Sequence, residues 1–316
     1  MDSIITDMCD LTIDNYRQVK ENLRYDGEYI NHFSSLVYSN IGKEIPTKKV
    51  KEIRTLIKDK TSRMSYFRGD ILYILSFLLG KEKNINRFIE EIIDTYDQLI
   101  EAGFRESQYL VLSAYSLVKY GDEKNRFSHI YRMKEIYDIM KDRYDNVTND
   151  EDYLECTLLA LNNVDDCDIT DWMDVIFESV AELDMFSRNS VQGLTMALLL
   201  NKNPSALYTI HELLIEFEER DMKISHQFLP LLGAIAGYDT PSNYVDEVKA
   251  VIDYLCEEEA LYEFYMDKSF RTFIAIALVE FSKNIKEERY LNELLAIGVY
   301  SFLVSKNQGV FSEILA

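Results

Sequence analysis

The densest run of potential ligand atoms in the chain is Asp165-Asp166-Cys167-Asp168, followed by Asp171 and Trp172. Carboxylate oxygens are the natural partners of hard cations, and a calcium loop of the EF-hand type needs Gly at its sixth position and Glu at its twelfth. Counted from Asp166, those positions hold Asp171 and Phe177, so the motif fails. The run reads instead as a helix start whose aspartates cap free N–H groups and complement the helix dipole. The four histidines, His32, His129, His211 and His226, show no HxxxH or HExxH spacing, and Cys9, Cys156, Cys167 and Cys256 form no CxxC pair. No zinc signature results, and no metal or cofactor is expected. Cys156 and Cys167 stand among acidic residues, which raise a thiol's pKa and make it less reactive. Glycine-rich phosphate loops and GxSxG elbows are absent as well, so no catalytic residue is assigned by motif.

A second cluster, Ser65-Tyr66-Phe67-Arg68-Gly69-Asp70, places an arginine between aromatics before an apolar helix. Such a group can bind an anion through the guanidinium and free backbone N–H groups. The structural alternative is a junction that fixes the first hairpin, with Arg68 tied to a carboxylate.

The elements that would carry these residues read as helices throughout. Apolar residues make up 47% of the 316 residues, and only 4 prolines and 11 glycines interrupt them, which favours long helices over strands and turns. Residues 3–24, 29–41 and a segment opened by Pro46 predict three N-terminal helices within 1–64. From 65 to 316 a unit of a compact apolar helix followed by a longer amphipathic helix repeats about six times. Ala114, Ala160, Ala197, Ala234 and Ala275 recur near the ends of the apolar helices, spaced by 46, 37, 37 and 41 residues. Such a period is the mark of a helical-hairpin array. The expectation is one all-α domain over 1–316, a right-handed α/α superhelix or solenoid-like array. Helix ends are expected at Gly80, Gly103, Gly121 and Gly237, and helix starts at Asn203-Pro204 and Thr240-Pro241. Pro230 falls inside an expected helix and must begin it late or kink it.

The Ser65–Gly69 stretch, the helix end Glu101-Ala102-Gly103-Phe104, and Ser107-Gln108-Tyr109-Leu110-Val111-Leu112-Ser113-Ala114 resemble an uncharacterised bacterial family, domain of unknown function 4003. The resemblance covers most of the chain. It implies an all-helical protein of similar length and carries no activity with it.

Charge narrows the partners. The net charge of −21 disfavours nucleic acid, whose affinity comes from neutralised phosphates, and disfavours anionic membrane surfaces. No apolar run reaches the roughly 18 residues of a membrane span, and the first residues lack a signal-peptide pattern, so a cytoplasmic protein is expected. Residues 145–187 hold 13 acidic side chains and no Lys or Arg, whereas residues 43–63 hold eight basic and three acidic ones. The leading expectation is therefore a non-enzymatic interaction or scaffold protein. It would dock a protein with a basic surface through Asp165, Asp166, Asp168, Asp171 and Trp172, with Tyr66 and Arg68 as further contact candidates. The alternatives are a helical toroid enzyme, with Asp70, Glu155 or Glu280 projecting from inner helices, and a sensor holding a small ligand in a central cleft.

Overall fold

The computed structural model describes residues 2–181, 187–201, 206–235, 240–283 and 290–315. Among the described residues there are sixteen α-helices and no strand. In chain order they are α1 (Ser3–Asn22), α2 (Glu28–Ser39), α3 (Thr47–Lys60), α4 (Asp70–Leu79), α5 (Ile85–Glu101), α6 (Gln108–Tyr120), α7 (Arg126–Arg143) and α8 (Tyr153–Leu161). There follow α9 (Asp166–Ala181), α10 (Arg188–Leu200), α11 (Ala206–Glu219), α12 (Leu229–Leu232), α13 (Pro241–Glu258), α14 (Ala260–Phe264), α15 (Lys268–Ser282) and α16 (Leu291–Leu315).

Two kinds of helix alternate. The short helices α2, α4, α6, α8, α10, α12 and α15 are buried on nearly every face; α4, for example, exposes little besides its first residue and Tyr73. The longer helices between them are amphipathic, as in α5, where Ile89, Ile92, Thr95, Tyr96 and Leu99 form one buried stripe. A helix apolar all round must lie between layers, so the first kind forms an inner layer and the second flanks it.

The inner layer closes on itself. The helices α2, α4, α6, α8, α10 and α12 pack in that order, each on its neighbour, and α15 packs on α2. Phe228, just before α12, stacks on Phe273 of α15 at 4.1 Å between ring centroids. At the seam α1 meets α13 and α15: Arg17 Nε pairs with Glu259 Oε2 at 3.0 Å, and the Tyr254 hydroxyl donates to Asp10 Oδ1 at 2.6 Å. Deeper in the seam, His32 of α2 stacks on Tyr16 at 3.9 Å and bonds the Tyr262 hydroxyl through Nδ1 at 3.2 Å. The all-α expectation holds, and between an open array and a ring the described helices form the ring. Residues more than 200 positions apart meet at its closure, and no local pattern records that.

The last helix does not take an outer position as its predecessors do. α16 enters the ring and packs against α2, α4, α6 and α12. Leu294, Leu295, Ala296, Val299, Tyr300 and Phe302 are all buried there. Glu293 of α16 meets Lys119 near the end of α6, and Ser301 meets Tyr109 near its start, so α16 runs antiparallel to the inner helices. This filling is why the inner helices are apolar on their inward faces.

Local rules explain the boundaries. Gly42 and Gly103 follow helix ends in left-handed conformations, φ +62° and +93°. Thr240 caps α13 by accepting from Asn243 N, with Pro241 in the first turn. Pro230 lies in the first turn of α12, so that helix begins late, as its ring requires. Gly237 and Asn203-Pro204 fall outside the described residues. One buried ion pair anchors the first hairpins: Arg54 reaches both carboxylate oxygens of Asp26, at 2.8 and 2.5 Å, and donates to Ser76 Oγ at 3.0 Å.

Candidate functional site

The inner helices run parallel to one another, so their N-termini gather at one end of the ring. Because α16 leans toward α2, α4, α6 and α12, the ring interior beside α8 and α10 remains open as a cleft of about 290 Å³. Its walls are Asn149, Glu151, Asp152 and Glu155 before and in α8, Ser187, Asn189, Ser190 and Gly193 at the start of α10, His226, Gln227 and Pro230 at α12, and Ile297, Gly298, Ser301, Val304 and Ser305 of α16. Gly193 is required here: a Cβ at that position would lie 2.8 Å from Pro230 Cγ and 3.7 Å from Glu155 Oε1.

The described residues bring three carboxyls to this cleft, Glu151, Asp152 and Glu155, and no Lys or Arg. Asn149 and Asp152 form a reciprocal cap, with Asn149 N donating to Asp152 Oδ2 at 2.8 Å and Glu151 N donating to Asn149 Oδ1 at 2.8 Å. Burial pushes Asp152 up to about 7, against the opposing effect of the Asn149 N–H and the Gln192 side chain. Glu151 is raised too, chiefly by burial, although the Tyr109 hydroxyl (3.1 Å) and Asn189 Nδ2 (2.6 Å) donate to it. Tyr109 also shares a hydrogen bond with Ser301 Oγ at 3.2 Å, which ties α6, α8 and α16 together at the cleft. Glu155 lies one helical turn beyond Asp152 and is 4% exposed. Burial first, and the neighbouring charge of Asp152 second, hold it protonated well above the usual carboxylate range. Among the described residues no donor reaches its Oε2, which is itself covered. Across the cleft, His226 Nδ1 accepts from Ser187 N at 3.0 Å.

These groups can act on a small polar molecule in two ways. They can accept hydrogen bonds from it, or pass a proton from a carboxyl poised near neutrality. Among the described residues no group of three or more His, Cys, Asp or Glu has the geometry to hold a metal ion.

The residues singled out from sequence lie elsewhere. Asp165, Asp168 and Trp172 line a second cavity of about 360 Å³ with Asn162, Asn163, Val164, Ile176, Leu198 and Leu199, on the outer side of the α8–α10 region. Asp166 pairs with Arg132 at 2.6 Å, and Asp171 is exposed. Arg68 donates to Thr61 Oγ1 (2.6 Å), Thr61 O (2.7 Å) and Lys58 O (3.0 Å), which fastens the end of α3 to the start of α4; Tyr66 beside it is exposed. Of the carboxyls named for a toroid, Glu155 is in the cleft. Asp70 opens α4 at the same end of the ring, and burial raises it. Glu280 is at the other end, where it accepts from the Tyr244 hydroxyl at 2.9 Å and pairs with Lys283 at 3.2 Å. Of the 13 acidic residues of 145–187, Glu151, Asp152 and Glu155 line the cleft, while Glu182 and Asp184 lie outside the described residues. Sequence reasoning missed Glu151, Asp152, Asn189, His226 and Ser301. One signal was available: Glu155 is a lone charge inside the apolar run Tyr153–Leu159.

No described helix is long and apolar enough to cross a membrane. No curated protein and no solved structure matches the chain. Residues 15–308, nearly the whole ring with most of α16, match the family described as protein of unknown function (DUF4003), and the chain belongs to that family.

Proposed function

We propose that the protein works through the ring-end cleft, by binding a small polar molecule between α8, α10, α12 and α16, and that Glu155 is its anchor. The observation that carries this reading is the Glu155 Oε2 atom, buried without a protein donor on the wall of a cleft. A buried acceptor left unmet costs about 1–3 kcal/mol. Replacing Glu155 by Leu or Met would avoid that cost in a purely structural role. A small-molecule screen by ligand-observed NMR tests the reading, run on the wild type beside Glu155→Gln and Asn189→Ala. Ligands that bind the wild type and are lost from both variants support it. Ligands that bind all three proteins equally, or none that bind the wild type, refute it.

A second reading retains the outer acidic face as a docking site for a basic protein segment. What favours it is the cavity that joins Trp172 to Asp165 and Asp168, since an aromatic face beside carboxylates suits a Lys or Arg side chain. Asp165→Asn with Asp168→Asn should then weaken binding of a lysine-rich peptide in fluorescence anisotropy, and an unchanged affinity would dismiss it.

A further inference from the structure

The chemistry of the cleft walls narrows what the ligand must bring. The amide donors near the carboxyls are already directed at protein acceptors: Asn189 Nδ2 at Glu151 Oε2, and Asn149 Nδ2 at Val147 O (3.1 Å) and Asn189 Oδ1 (3.3 Å). At both helix starts a side chain already takes one backbone N–H: Asn149 Oδ1 accepts from Glu151 N at 2.8 Å, and Ser187 Oγ accepts from Ser190 N at 3.3 Å. The atom left over is an acceptor, Glu155 Oε2, within a wall that carries Glu151 and Asp152 and no cationic side chain.

We infer that the cleft recognises a primary ammonium group, with Glu155 as the direct partner and the carboxyls of the Glu151–Asp152 turn beside it. The inference rests on the cleft being the working site. An ammonium offers three N–H donors and the positive charge that no described lining side chain of Lys or Arg supplies. A bound ammonium favours the ionised form of Glu155, and charge-assisted hydrogen bonds to that carboxylate are stronger than neutral ones, so a hydroxyl in the same place binds more weakly. The cleft is at the small end of the roughly 300–1,000 Å³ typical of ligand sites, which fits a short aliphatic amine better than a basic protein segment.

The experiment is isothermal titration of the full chain with 1,4-diaminobutane and, separately, with 1,4-butanediol, repeated on Glu155→Gln and on the conservative Glu155→Asp. The amine should bind the wild type, the diol should bind at least tenfold more weakly, and Glu155→Gln should lose roughly thirtyfold or more in amine affinity, as expected for removal of one partner of a buried charge pair. Glu155→Asp keeps the charge and should recover part of the loss. A circular-dichroism melt of each variant shows that the fold is intact. Equal binding of amine and diol, or an amine affinity unmoved by Glu155→Gln, overturns the ammonium assignment while the cleft reading survives if the diol's binding depends on Glu155. Failure of both probes at millimolar concentration overturns the ammonium assignment, and the ligand screen above then decides the cleft reading on its own.

Discussion

Glu155 and Asp152 make the stability of this protein depend on pH in an unusual direction. In the unfolded chain Glu155 ionises near its ordinary value of 4.5, whereas in the ring it keeps its proton well above that. Between the two values the unfolded state has released a proton that the folded state retains. The contribution of Glu155 is thus complete below about pH 4.5 and declines as pH rises, and Asp152 adds the window from 3.8 to about 7. His32 works the other way: burial lowers it from 6.5 to about 3, so its contribution is lost as pH falls through that range. A difference experiment separates them. Glu155→Gln should melt close to the wild type at pH 4.5 and above it at pH 7.5, by about 2–4 °C for each kcal/mol of relieved burial; a constant offset at both pH values would show that the carboxyl bears no such strain. Arg54→Ala should be far more damaging, about 3–5 kcal/mol in urea unfolding, because it strands Asp26 as a buried charge. Sequence revealed Glu155 as a charge on an apolar helix but not the groups gathered around the neighbouring Glu151, since Tyr109, Asn189 and Ser301 come from three other helices. Arg54 was counted with the basic patch of 43–63, and nothing local distinguishes a buried guanidinium from an exposed one.

Among the helices, close approach is what the recurring small residues provide. Gly233, at the end of α12, lies against α10, where an added Cβ would come 2.7 Å from Ala197 Cβ and 3.0 Å from Leu194 O. Both neighbours are held by helix backbone and cannot yield. Gly233→Ala should therefore destabilise by about 1–3 kcal/mol through overpacking, measurable as a fall in the thermal midpoint; a neutral result would mean that α12 slides freely on α10. Helix existence and order were legible because the apolar faces, caps and breakers are local: Ser107 accepts from Leu110 N, and Asp267 accepts from Ser269 N and Phe270 N, as their residue types lead one to expect. The place of α16 was not legible. Its apolar composition suits the outer partner of a hairpin or the middle of a ring, and only the helices around it decide between them.

For the molecule as a whole, closure changes how it comes apart. An open hairpin array has ends from which it can unravel, and its stability is close to a sum over neighbouring units. Here the seam contacts of Arg17, Tyr254 and Tyr262 join first hairpin to last, and Phe302 of α16 packs on Phe228, Phe270 and Tyr29 from across the ring. Phe302→Ala should cost about 3–5 kcal/mol and shift the entire unfolding curve. Near- and far-ultraviolet circular dichroism should move together in that variant, and a separate early transition confined to one part of the chain would argue that the ring melts piecewise.

A ribosome makes this chain in the order in which its helices are numbered. The outer and inner layers can begin to pair as they emerge, because each hairpin is local in sequence. The far wall of the cleft cannot: Ile297, Gly298, Ser301 and Val304 belong to the last helix to appear, and their neighbours were made long before. Contacts so distant in sequence form late in folding. A nascent or truncated chain can therefore carry every carboxyl of the site and still lack the site, and binding at the cleft reports that synthesis has run through α16.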